Sequence, residues 1–176
     1  MDIKTEWIVI TGGPCSGKTT IIEELAKQDY LIAEEVARSY YLEVIKYKDT
    51  RELLKHPRDL QDEILAIELV REKQLAPEEL VFLDRALPDS IAYYGTIGDV
   101  PDYVRQACQT FRYKQIFFME QLPFENDDIR HEDEAMARKI SQLILDAYSS
   151  FGYHPILVPP LSIERRLNMI LEHIKN

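Results

Sequence analysis

The sequence predicts a three-layer α/β fold in which a parallel five-stranded sheet is covered by helices on both faces. Five short apolar runs alternate with helical segments along the chain, which is the order expected when helices connect parallel strands. The runs are continuously apolar, as strands buried on both faces are. A chain of 176 residues can bury the core of one such domain. We therefore predict a single domain over residues 1–176.

The first half of the chain contributes three of the predicted strands. The first strand, 7–11, is an apolar run that ends in glycines, and the helix predicted over 17–27 carries its apolar residues on one face. A second strand is predicted at 30–33. The helix from Pro57 to about Ala76 has a proline near each end as a start and stop signal. Residues 80–83 form the third predicted strand.

The middle of the second half is less regular. Gly95, Gly98 and Pro101 indicate a loop over 93–101, which is followed by a short helix over 104–111. The fourth strand is predicted at 115–119. Residues 122–130 are polar and rich in turn-forming types, so they predict an irregular segment.

The end of the chain carries the clearest helical pattern. Apolar residues recur at spacings of three and four over 132–151, and Gly152 suits the position just after a helix. The fifth strand follows at 155–158 and is broken by two prolines. Ser162 can cap a last helix that extends to about Ile174.

Composition and charge restrict the classes of function. The chain is 45% apolar and 30% charged, as a folded globular domain is. Its net charge of −10 argues against general binding to nucleic acid or to anionic membranes. The two cysteines lack metal-site spacing, and no apolar run approaches the ~20 residues of a membrane span. The charged start does not have the layout of a signal peptide, so we expect a cytoplasmic location.

A phosphate-binding motif of the pattern G-x-x-x-x-G-K-[ST] follows the first predicted strand and opens the first helix. Glycines let successive backbone N–H groups point at one phosphate, and the helix N-terminus adds partial positive charge. Lys18 is expected to neutralise the β- and γ-phosphates, and the Thr19 hydroxyl is expected to bind Mg²⁺. The motif consists of Gly12, Gly13, Pro14, Cys15, Ser16, Gly17, Lys18 and Thr19.

The third predicted strand ends in Asp84 and Arg85. Asp84 is expected to hold Mg²⁺, directly or through water. Motor and remodelling ATPases usually have a glutamate after this aspartate to activate water. Arginine stays protonated and cannot act as that base, but it can hold a phosphoryl group or a substrate oxygen. No guanine signature Asn-Lys-x-Asp is present, which favours ATP and leaves GTP open.

These motifs resemble small P-loop kinases of nucleosides and nucleotides, and more closely the small ATP-binding family related to the ribosylnicotinamide kinase domain. The similarity covers most of the chain in order, on the segments 12–20, 35–38, 83–90 and 127–130. It implies a P-loop fold with strand order 2-3-1-4-5 and a small lid at about 122–138. It also implies that Thr20 belongs to the nucleotide site and that adenine rests near Pro160.

The same resemblance suggests roles for charged residues. It implies that Glu35 accepts the proton of the attacking hydroxyl, with the adjacent Glu34 as the alternative, and that Arg130 reaches the transferring phosphoryl group from the lid. Here Asp128 stands where the family usually has glycine, and Arg138 is a second lid candidate. Further acceptor-site candidates, each with a purely structural alternative, are Arg38, Arg85, Asp89, Gln61, Tyr40, Tyr41, Tyr93 and Tyr94.

The function predicted from these features is transfer of the ATP γ-phosphoryl group, with Mg²⁺, to the hydroxyl of a small metabolite, with a nucleoside-like molecule as one candidate. Two alternatives stay open. A nucleoside triphosphatase would use water as the acceptor, and a nucleotide-sensing protein would bind ATP without turnover.

Overall fold

Five parallel strands form the central sheet of the computed structural model, which describes residues 2–37, 39–40, 56–123 and 131–175, the first three residues of the last range by their backbone only. The strands are β1 (Ile3–Lys4), β2 (Ile8–Thr11), β3 (Leu31–Ala33), β4 (Val81–Asp84), β5 (Phe111–Arg112), β6 (Gln115–Met119) and β7 (Ile156–Val158). The helices are α1 (Lys18–Ala26), α2 (Pro57–Gln74), α3 (Leu87–Ile97), α4 (Asp102–Cys108), α5 (His131–Ser150) and α6 (Ile163–Lys175).

The order of the five-stranded sheet is β3-β4-β2-β6-β7. Counted along the chain, these are the second, third, first, fourth and fifth predicted strands, so the predicted order is confirmed. The numbering differs because β1 and β5 pair in a separate two-stranded sheet, with Ile3 opposite Phe111 and Lys4 opposite Arg112. Neither strand was predicted, since a two-residue strand shows no hydrophobic pattern.

The central strand β2 brings the two predicted nucleotide motifs together. Ile10 of β2 lies opposite Asp84 of β4, and Thr11 lies opposite Phe118 of β6. All these strands are parallel, so their carboxyl ends meet at one edge of the sheet. The glycine motif and Asp84 therefore follow neighbouring strands at the edge where ligands bind in such folds.

The two faces of the sheet bury separate cores. Trp7 and Val9 belong to the core on the α3 and α5 face, whereas Ile8 and Ile10 pack with residues of α1 and α6. Successive side chains of a strand point to opposite faces, so one apolar strand serves both cores. Trp7 is fully buried, and its indole Nε1 donates a hydrogen bond to the Ala76 carbonyl at 3.0 Å.

The loop predicted over 93–101 is wrong in its first half, because α3 continues to Ile97. Pro88 in the first turn and the Asp89 carboxylate, which accepts from the Ala86 N–H at 3.4 Å, favour the start of this helix. Burial of Tyr94 then outweighs the low helix propensity of Gly95. The short helix predicted over 104–111 corresponds to α4, which ends at Cys108.

Across the described ranges, no helix has both the length and the apolar character needed to span a membrane. The predicted lid lies partly in the N-terminal turns of α5 and partly at 124–130, which are outside the described residues.

Candidate active site

The glycine motif forms a tight loop between β2 and α1. Gly12 has φ +139°, and a Cβ at this position would lie 2.4 Å from the Met119 carbonyl oxygen. Gly17 and the non-glycine Cys15 also have positive φ, at 76° and 57°. Positive φ at these positions is typical of loops whose backbone forms an anion-binding concavity.

Side chains of α5 and α6 pack closely against this loop. A Cβ on Gly13 would meet the Ser141 hydroxyl of α5 at 1.8 Å, and one on Gly17 would meet a guanidinium nitrogen of Arg166 in α6 at 2.8 Å. Arg166 is 2% exposed and donates to the Ser16 carbonyl at 2.7 Å. The loop is thus fixed by packing as well as by its own turns.

Lys18 points back into the loop. Its ammonium Nζ donates to the Gly13 carbonyl at 2.7 Å and to Ser16 Oγ at 3.1 Å. Burial, followed by the charge of Arg85, lowers the pKa of Lys18 to about 7, against the opposite effect of Asp84 and other acids. A phosphate in the loop would supply the negative charge that favours the ammonium form, so the arrangement suits an anionic ligand.

Asp84 and Thr19 share a cavity of about 250 Å³ with Glu34 and Glu35. Asp84 is buried, and its Oδ1 has no hydrogen-bond partner among the described residues. Burial and the charge of Glu35 raise the pKa of Asp84 to about 6, although Lys18 and Arg85 act in the opposite direction. A buried carboxylate oxygen without a partner is costly unless a ligand or water satisfies it.

These residues fit a magnesium ion. A carboxylate and a hydroxyl are oxygen ligands of the kind that Mg²⁺ prefers, with phosphates and waters completing its shell. Among the described side chains, no cluster of three or more His, Cys, Asp or Glu forms a dedicated metal site.

Arg85 lies between the glycine motif and a second cavity, of about 300 Å³, which it lines. The residue has φ +63°, and its buried guanidinium donates through Nε to Glu35 at 2.8 Å and through one Nη to Asp89 at 2.9 Å. The same Nη lies 3.3 Å from the Gly12 carbonyl, and the group stacks over the Tyr93 ring at 5.5 Å. These contacts hold Arg85 in one orientation beside Glu35.

Asp89 is largely occupied by internal bonds. Besides Arg85, its carboxylate accepts from Thr11 Oγ1 and from the Tyr148 hydroxyl, both at 2.6 Å, and from the Ala86 N–H. The bond from the Ala86 N–H shows that Asp89 caps the start of α3. Its second evident role is to position Arg85.

A cavity of about 300 Å³ opens next to Arg85. Glu35 lines both this cavity and the one that contains Thr19 and Asp84. Three further predicted residues lie in its wall, namely Gln61, Asp89 and Tyr93. A small molecule in this cavity would therefore lie next to the carboxylate that also faces the metal-side residues.

The other predicted residues take different places. Tyr40 packs against the small core of Val36, Leu60 and Ile64, and the buried Tyr94 donates to Asp62. The structure places the remaining residues as follows: Pro160 is exposed after β7, Thr20 is half-buried in α1, Arg138 forms an exposed ion pair with Glu134, and Arg38, Tyr41 and Arg130 lie outside the described residues.

Sequence reasoning missed Glu68 and Arg166. Glu68 lines the 300 Å³ cavity, and Arg166 supports the glycine loop. Both occupy buried helical positions, since Glu68 falls four residues after Ile64 and Arg166 four residues before Ile170. A charged residue within an apolar helical stripe is the signal that could have identified them.

Among the solved structures with a similar fold are those of three proteins. The NadR protein, solved in complex with NR, has a TM-score of 0.70 and 16% identity over 98% of this chain and 50% of that chain, so the chain spans half the length of NadR. Thymidylate kinase from Ehrlichia chaffeensis has a TM-score of 0.60 and 16% identity over 98% and 99%. Deoxyadenosine kinase from M. mycoides has a TM-score of 0.62 and 15% identity over 96% and 98%.

The structural similarity to these three proteins shows that the chain has the P-loop fold, and at 15–16% identity it shows nothing further. Among curated protein sequences, none matches the chain closely enough to count as a relative. The family model described as "AAA domain" matches residues 7–166, which include the glycine loop, the Asp84–Arg85 pair and the 300 Å³ cavity. The chain therefore belongs to this AAA-domain family of P-loop proteins.

Proposed function

We propose that the chain is a kinase that transfers the γ-phosphoryl group of ATP, bound with Mg²⁺, to a hydroxyl group of a small acceptor. The observation that carries this proposal is the position of Glu35, which lines both the cavity with Thr19 and Asp84 and the cavity beside Arg85. A triphosphatase would need only the first cavity. A second cavity of about 300 Å³ on the other side of the same carboxylate is suited to an acceptor.

The glycine loop and Lys18 would bind the nucleotide phosphates. The backbone N–H groups supply directed hydrogen bonds, and the ammonium adds a full positive charge. Asp84 and the Thr19 hydroxyl would hold Mg²⁺, which neutralises charge on the transferring phosphoryl group when it is bound. Arg85 follows Asp84 at the position where a triphosphatase would have a second acid to activate water. This supports transfer to an acceptor other than water.

Glu35 would take the proton of the acceptor hydroxyl. Its Oε1 already accepts from Arg85 Nε at 2.8 Å, which orients the carboxylate. In phosphoryl transfer most of the catalytic effect comes from positioning and charge stabilisation, so one oriented carboxylate suffices. Glu34 lies in the same metal-side cavity but is exposed, and only Glu35 reaches the acceptor cavity.

Arg85 would contact the acceptor or the transferring group from the cavity wall. The lid, with Arg130, and the segment with Arg38 would complete the site, and Pro160 would border the adenine. A nucleoside-like acceptor is consistent with the size of the cavity. The net charge of −10 supports a small-molecule partner over nucleic acid, and the need for ATP supports a location in the cytoplasm.

The test is ADP formation from ATP and Mg²⁺, measured alone and with pooled nucleosides, vitamins and sugars. We expect ADP formation that depends on one pool, disappears in Lys18→Ala and falls strongly in Glu35→Gln. Glu34→Gln is the matched control and should retain most of the activity. Equal ADP formation with and without every pool would replace the kinase by a triphosphatase, and ATP binding without turnover would favour a nucleotide sensor.

A further inference from the structure

The wall of the acceptor cavity contains a buried carboxyl group that the proposed reaction does not use. Glu68 of α2 is 3% exposed, and its Oε2 accepts a hydrogen bond from Ser90 Oγ of α3 at 3.0 Å. The second oxygen, Oε1, has no hydrogen-bond partner among the described residues, although Glu68 lines the cavity. A buried polar group held on one side and open to a cavity on the other is a ready hydrogen-bond partner for a ligand.

The charges around the cavity decide which ligands it tolerates. In the described part of the wall, the acidic side chains are Glu35, Glu68 and Asp89, and the single cationic side chain is Arg85. Two of these acids, Glu35 and Asp89, already pair with Arg85. An anionic ligand would therefore meet no unpaired cation among the described wall residues.

The neighbours of Glu68 suit a flat ring with a polar edge. Gln61 and Ile64 precede it on α2 by two turns and one turn, so all three lie on the same side of the helix and line the cavity. Tyr93 contributes an aromatic ring from α3. An apolar side chain and an aromatic ring provide contact area for a heterocycle, while the amide and the carboxyl group can bind its edge.

We propose that the cavity takes a nucleoside rather than a nucleoside monophosphate, and that Oε1 of Glu68 accepts a hydrogen bond from an N–H group of its base. This proposal rests on the acceptor site of the kinase proposed above. Burial raises the pKa of Glu68 to about 7, with Arg71 and Ser90 opposing the shift. A protonated carboxyl group keeps one accepting oxygen, so Oε1 can accept from the base when the proton is absent or lies on Oε2.

The first experiment uses matched pairs of ligands that differ by one N–H donor. Calorimetric titration of the wild-type chain compares adenosine with purine riboside, which lacks the amino group, and uridine with 3-methyluridine. Adenosine and uridine 5′-monophosphates are measured alongside. We expect the donor-containing member of at least one pair to bind about tenfold more tightly than its analogue, and the parent nucleoside to bind more tightly than its monophosphate.

The second experiment tests whether Glu68 causes this preference. In Glu68→Leu the two members of the pair should bind equally, whereas Glu68→Gln keeps a carbonyl acceptor and should retain part of the preference. Glu72→Gln is the matched control, since Glu72 is a buried acid one turn further along α2 that does not line the cavity. It should retain the full preference. ATP affinity, measured in each variant, reports whether the fold is intact.

The outcomes separate this inference from the kinase proposal. Tighter binding of the monophosphate, or no binding of any nucleoside, overturns the inference, and both results come from the wild-type chain without a variant. A preference that persists in a Glu68→Leu variant that still binds ATP also overturns it. Nucleosides that bind with the expected preference but are never phosphorylated would refute the kinase and leave the inference standing.

Discussion

Replacing Gly12 by alanine tests whether the close approach of the glycine loop to β6 determines its conformation. The alanine Cβ would lie 2.4 Å from the Met119 carbonyl oxygen, well inside the 3.0 Å that Cβ atoms keep, and the residue would have to adopt φ +139°. The unfavourable φ costs about 1–3 kcal/mol. Displacement of backbone to relieve the overlap adds about 1–3 kcal/mol.

Gly98→Ala provides the matched control. Gly98 has φ +145°, but a Cβ there would meet no atom within 4 Å. This variant should lose only the conformational part, about 1–3 kcal/mol, which lowers Tm by about 2–4 °C per kcal/mol in a domain of this size. The difference between the two variants therefore measures the steric overlap in the loop.

The assay combines urea unfolding, thermal melting and ATP titration of both variants. We expect Gly12→Ala to be the less stable and to bind ATP at least about tenfold more weakly, because the Gly12 carbonyl also lies 3.3 Å from the Arg85 guanidinium. Gly98→Ala should keep the wild-type affinity for ATP. Equal losses of stability, or an unchanged ATP affinity in Gly12→Ala, would refute the argument.

Three other substitutions give distinct expected results. Lys18→Ala should weaken ATP binding about 10- to 100-fold, because it removes a charged hydrogen-bond donor to the phosphates, and an unchanged Kd would contradict the proposed loop function. Tyr148→Phe removes the hydroxyl that donates to Asp89 at 2.6 Å and should lower the unfolding free energy by about 1–3 kcal/mol in urea denaturation, whereas no change would show that this bond adds nothing. Glu72→Gln tests pH dependence, since burial raises the pKa of Glu72 from 4.5 to about 7. Between these pH values the folded chain keeps a proton on Glu72 that the unfolded chain releases, so Glu72 should contribute a fall of roughly 3 kcal/mol in wild-type stability as pH rises. Burial raises the pKa of Glu68 to about 7 as well, so the variant should keep the Glu68 part of the slope and lose the Glu72 part in unfolding measured across the range. A slope as steep as that of the wild type would contradict the assignment to Glu72.

The sheet could be predicted because its three central strands, β2, β4 and β6, are almost fully buried, and because helices separate each of the five predicted strands from the next. Strand order came from the resemblance to small P-loop kinases, and the register of β2 against β4 and β6 agrees with it. The error at α3 has a physical cause. Gly95 signals a turn when only local propensity is considered, but Tyr94 and Leu87 bury the helix in the core that lies over the sheet.

Site residues that belong to one sequence motif could be predicted, whereas contacts between residues far apart in the sequence could not. The glycine loop, Asp84 and Arg85 follow strands, so sheet topology alone brings them to one edge. The contact of Arg85 with Glu35 joins residues 50 positions apart, and the bond that Ser90 donates to Glu68 joins two helices. Such pairings depend on how helices pack, which a pattern along one chain does not specify.

The bond between Arg166 and the Ser16 carbonyl has a consequence for folding during synthesis. These residues are 150 positions apart, so the ribosome completes the glycine motif long before it adds the side chain that holds it. A nascent chain then has the nucleotide-binding residues without the helix that supports their conformation. We expect ATP to bind only after α6 has docked and so to stabilise the finished domain rather than its early intermediates.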